Sequence, residues 1–151
     1  MKKLSLLIFF IFYTQNLIGQ SITVTGDWNY SIPSTDITEA GLDFTGTYES
    51  NVNQVYLDIQ YNNKWQVSVD KNNIDWNSTF RLFVKRTGDG IGTKKVNGGK
   101  NYIRIRNRPG KFFTGDRDRM FIPLQYKIER VSVVIPANTY VVEIVYTLSP
   151  K

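Results

Sequence analysis

The sequence predicts an all-β protein, an antiparallel sandwich of two sheets. Three observations carry this. Apolar and polar residues alternate with a period of two through most segments, as in "QVYLDIQY" and "YVVEIVYTL"; no stretch holds helical spacing; and Gly, Asn and Pro punctuate the chain at short intervals.

The elements follow in order. Met-Lys-Lys, the apolar run 4–13 and the polar stretch "TQNLIGQ" have the layout of a secretory signal peptide, residues 1–19, with cleavage expected after Gly19. The run is about half the roughly 20 residues needed to cross a bilayer. No later stretch is long and apolar enough to span. The expectation is therefore an exported chain, secreted, periplasmic or at a bacterial cell surface, with residues 20–151 as one domain.

"SITVT" puts Ile22 and Val24 on one face, and a second strand, "WNYSI", is expected after the Gly26–Asp27 turn. The polar stretch 33–51 reads as a loop with one short strand between Phe44 and Tyr48. A hairpin is expected next, Val55, Leu57 and Ile59 opposite Trp65, Val67 and Val69, turning at Asn62–Lys64 because Asn tolerates positive φ. "KNNIDWNS" is expected to be a loop, followed by a strand with Phe80, Leu82 and Val84 inward.

"TGDGIGTKKVNGGKN", with five glycines, reads as a mobile surface loop. "YIRIRNR" follows as an extended run, then "IPLQYKIE" with Ile122, Leu124, Tyr126 and Ile128 inward. A phase slip at Glu129–Arg130 predicts a bend before a strand carrying Val131, Val133 and Ile135. The last strand places Val142, Ile144 and Tyr146 in the core. Nine or ten short strands without helices fit an immunoglobulin-like sandwich better than a ligand-holding barrel.

Composition narrows the chemistry. The 151 residues include no Cys and no His, which excludes Ser-His and Cys-His nucleophiles and zinc or haem sites built on those ligands. No cofactor or metal is expected, and packing replaces disulfides in an exported domain that is 14% aromatic. Net charge is +6, unevenly spread: residues 20–79 hold eight acids against two lysines, whereas 80–151 hold fifteen basic residues against five acids. Such asymmetry suits polyanions or attraction between copies, or averages out on a compact surface.

Three stretches are candidates for recognition. If "YIRIRNR" is extended, Arg104, Arg106 and Arg108 share one face with Tyr102; residues 81–111 hold ten basic residues and one acid, Asp89. Guanidinium groups in a row bind sulfate, phosphate or uronate bidentately; equally, they would deter strand pairing at an exposed edge. Trp76, among amides and a carboxylate, would serve as a sugar-stacking platform or plug an open end of the sandwich. Asp116 and Asp118 could hold calcium or act as a carboxylate pair, but an arginine directly follows each, so ion pairing is the simpler expectation.

"IPANTYVVEIVYTLS" resembles the closing strand of exported chaperone-usher pilin and spore-coat-type domains. That resemblance implies an incomplete sandwich completed by a neighbour's N-terminal strand, with Ile22 and Val24 as the pocket-filling residues of the donor. The chain lacks those families' usual disulfide and its donor run is short; the same strand would serve equally as the domain's own first strand. The function expected is a non-enzymatic surface or structural module: a subunit of a fimbria-like or adhesive surface assembly with other copies or subunits as partners, or else a module binding carbohydrate or anionic glycans through Trp76 and the arginine row. Nucleic acid is not an expected partner.

Overall fold

The computed structural model describes residues 19–36, 43–44 and 46–151. The proposed signal peptide thus lies almost entirely outside the described residues. The described residues form ten strands: β1 (Ser21–Thr25), β2 (Thr47–Glu49), β3 (Val55–Gln60), β4 (Lys64–Asp75), β5 (Arg81–Arg86), β6 (Asn97–Gly98), β7 (Ile103–Arg104), β8 (Gly110–Asp116), β9 (Arg119–Glu129) and β10 (Val141–Pro150), with a 3-10 turn at Ser34–Asp36. All pairings are antiparallel. One sheet has the order β1-β3-β9-β5-β7, with β2 sharing the edge of β9 that β3 occupies lower down; the other has the order β10-β4-β8-β6. No helix among the described residues is long and apolar enough to cross a membrane.

Period-two alternation builds the core between these sheets. Val55, Leu57 and Ile59 of β3, Leu82 and Val84 of β5 and Ile122, Leu124 and Tyr126 of β9 form one buried cluster with Trp65, Val67 and Val69 of β4 and Phe113 of β8. At about 25 cal/mol per Å² of apolar surface, each buried aliphatic contributes roughly 1.5–3 kcal/mol. The hydroxyls of Tyr126 and Tyr146 meet at 2.8 Å, a buried hydrogen bond that ties β9 of one sheet to β10 of the other. Trp65 is fully buried, edge-on to Phe113, and its indole Nε1 donates to the Arg117 carbonyl. Gly115 is required there: a Cβ would stand 2.2 Å from the Trp65 ring.

Several expectations need correction. β3 and β4 are not a hairpin. They lie in different sheets, because 55/57/59 and 65/67/69 bury their alternate faces against each other across the core instead of pairing side by side. "WNYSI" is not a strand, although Trp28 does stack on Tyr126. β4 runs on through "KNNID" because β10 pairs it as far as Asp75. β8 replaces what looked like a connection: a bulge opposite Val67–Ser68 lets consecutive Phe112 and Phe113 both be buried, which hides the alternation. β9 ends at Glu129, Arg130 takes φ 65°, and residues 131–140 form no strand, with Val131 buried in a second cluster and Val134 largely exposed. Val142 and Ile144 are half-buried, since β10 is an edge strand.

The glycine-rich loop is tied down by two buried arginines. Arg86, 2% exposed, donates from Nε to the Gly98 carbonyl at 2.7 Å and from its two Nη groups to the carbonyls of Gly88 and Val96, and it pairs with Asp89. Arg119 reaches the Gly92 carbonyl. Gly90, at φ 68°, passes so close to the Met120 carbonyl that a Cβ would be 2.4 Å away.

Candidate anion-binding groove

β7 is held by two register pairs, Phe83↔Arg104 and Val84↔Ile103, so Ile103 shares the inward side of Val84 and Arg104 the outer side of Phe83. Ile105 is 1% exposed and donates its N–H to the Leu82 carbonyl, which fixes the segment before it leaves the sheet. Here the chain crosses from one sheet to the other: the Arg106 carbonyl accepts from the Lys71 N–H at 2.9 Å, and Pro109 leads into β8. This crossing, not a long strand, brings Arg104, Arg106 and Arg108 together. With Val69 and Lys111 they line an open groove of about 570 Å³.

The groove is electrically unbalanced. Among the described residues the ion pairs are Arg86–Asp89 and Lys127–Glu129, so the three groove guanidiniums have no carboxylate partner. Lys71 lies beside them on the inward side of β4, 8% exposed, its Nζ hydrogen-bonded to Asn73 Oδ1 and 5.7 Å from the Trp76 ring. Burial first, then the charge of Arg104, pull the Lys71 pKa down. Neighbouring cations repel one another, and an anion relieves that repulsion.

The other proposed contacts are placed differently. The Tyr102 ring is covered by two ammonium groups, Lys85 Nζ at 4.4 Å and Lys127 Nζ at 4.8 Å; burial and then the neighbouring Glu49 push its hydroxyl up to about 12. It is not among the groove's lining residues. Trp76 is half-buried and packs against both apolar clusters, edge-on to Phe80 at 5.2 Å, the plugging role rather than an open platform. It does not line the groove.

Asp116 and Asp118 do not pair with the arginines that follow them. The chain turns at Arg117, φ 59°, Asp118 Oδ1 accepts the Tyr61 N–H at 2.7 Å, and Arg119 is drawn inward to loop carbonyls. No group of three or more acidic ligands occurs among the described residues. The proposed donor strand, β1, pairs with β3 of its own chain, Ile22 opposite Ile59 and Val24 opposite Leu57. Ile22 packs on the core, and Val24 is 46% exposed at the sheet edge.

A second basic cleft, of about 290 Å³, gathers Lys64, Lys94, Lys95 and Lys151. Sequence reasoning missed it because these lysines meet only through the pairing of β4, β8 and β6; the adjacent "TKK" was the one local signal. Comparison with protein-family models, curated proteins and solved structures returns no significant match.

Proposed function

We propose that this chain is an exported, non-enzymatic β-sandwich of immunoglobulin-like form that binds anionic glycans at a cell surface. The observation that carries the reading is the arginine groove: three arginines line one cleft large enough for sugar residues, and among the described residues none of them has a carboxylate partner. Sulfate and uronate groups accept paired hydrogen bonds from such forks. The test is retention of the protein on sulfated and uronate-bearing glycans. Replacing Arg104, Arg106 and Arg108 together by Gln removes several charge-assisted hydrogen bonds worth about 1.5–3 kcal/mol each, so affinity falls roughly 100-fold or more. Unchanged retention of the triple variant overturns the reading.

A second reading, a subunit of a fimbria-like assembly, is favoured by β1. It is an edge strand with four of five residues exposed, so its ladder to β3 can be exchanged between copies. Deleting residues 20–26 separates the alternatives. A folded but monomeric product of a normally polymeric protein supports exchange, whereas an unfolded product makes β1 the domain's own strand.

A further inference from the structure

The arginine groove and the lysine cleft share one strand. Gly110 and Lys111 of β8 line the groove, and Thr114, Gly115 and Asp116 at its other end line the cleft. Five residue steps separate Gly110 from Gly115, about 17 Å at strand rise. The register places Gln66 and Ser68 of β4, with Ser149 and Thr147 of β10 beside them, on the outer side of this sheet, opposite to the side that buries Trp65 and Val67. On that side the groove is reached at Lys111, opposite Ser68, and the cleft at Thr114, opposite Gln66, so the surface between the two basic sites is made of amides and hydroxyls. Its aromatic neighbours, Trp65, Phe112, Phe113 and Tyr146, are all buried. The acids of this face are Asp116, inside the lysine cleft, and Asp70 and Glu143, which lie past the end of the β8 ladder, Glu143 accepting a hydrogen bond from Asn72.

We infer that the ligand is a linear acidic polysaccharide lying along β8, with anionic groups in both the arginine groove and the lysine cleft. The inference rests on the anion-binding reading above and adds the ligand's shape. Two cationic sites a strand's length apart suit a chain better than a single anion, and the hydroxyl and amide floor between them matches sugar hydroxyls. A single-stranded nucleic acid would seek exposed rings for base stacking, which this face does not offer.

Calorimetry with heparin-derived oligosaccharides of graded length, at fixed salt, tests this. Affinity is expected to climb with length until one oligomer reaches both clefts and then to level off. Lys94→Ser with Lys95→Ser, both exposed and so harmless to the fold, should weaken the longest oligomers about tenfold and the disaccharide less. Arg106→Gln with Arg108→Gln should weaken all lengths. Affinity independent of length, or long oligomers indifferent to the lysine pair, overturns the two-site track while leaving the groove itself standing. Equal or tighter binding of oligo(dT) or polyphosphate of matched charge overturns the polysaccharide assignment. Failure of every oligomer to bind removes the anion-binding reading as well.

Discussion

Arg86 carries its charge to a position that is 2% exposed, and its fit explains why it is tolerated there. Its guanidinium donates to three carbonyls and one carboxylate, and its Cζ lies 5.8 Å from the centroid of the Phe113 ring. A buried charge without such partners would be prohibitive. Arg86→Met keeps most of the volume and removes the donors. Urea denaturation should show a loss of roughly 2–5 kcal/mol, with faster amide exchange across residues 88–99. An unchanged midpoint would mean that the loop holds itself. Nothing in "FVKRTGDGIG" marks this arginine as buried; its place on the inward side follows only from its phase with Leu82 and Val84.

Among the elements, β10 shows how far alternation can be trusted. Its apolar residues were legible, but its position at a sheet edge was not, because strand order depends on pairings between distant residues. Ile144 is half-buried on this edge while Ile122 of central β9 is fully buried. Ile122→Ala should therefore cost about 2–5 kcal/mol and Ile144→Ala about half as much, contrary to the equal weight that alternation alone assigns them. Guanidinium unfolding of the two variants checks the ranking. Residues 55–59, 65–69, 80–84 and 122–126 were readable because one face of each is wholly apolar. β8 was not, because the Phe112 bulge breaks its period, and neither was the crossing of β3 to β4 between sheets, because periodicity does not say whether two apolar faces stack or adjoin. The arginine row was found for a partly wrong reason: only Ile103–Arg104 is paired strand, and the remaining arginines converge through the turn into β8.

At the scale of the whole molecule, the two sheets are joined by the Tyr126–Tyr146 hydroxyl pair, which links central β9 to edge strand β10. Burial pushes Tyr126 from 10.0 up to about 12 and Tyr146 well above its ordinary value. The folded state therefore holds these protons more tightly than the unfolded chain. Their contribution is complete below pH 10 and is lost as pH rises through 10 toward 12, by roughly 2–3 kcal/mol for Tyr126. Denaturant midpoints taken at intervals from pH 8 to 12 should stay flat and then fall. Tyr146→Phe should weaken that alkaline fall, because it removes one of the two groups.

The central place of β9 bears on when the molecule can form at all. β3, β2 and β5 each take β9 as a partner, and they have no ladder with one another. A growing polypeptide that has not yet delivered residues 119–129 can pair β1 with β3, β5 with β7, and β8 with β4 and β6, and such small unjoined ladders are marginal in water. Joining these pieces into one sheet must therefore wait for β9, so a chain cut short before residue 119 has no central strand on which to assemble.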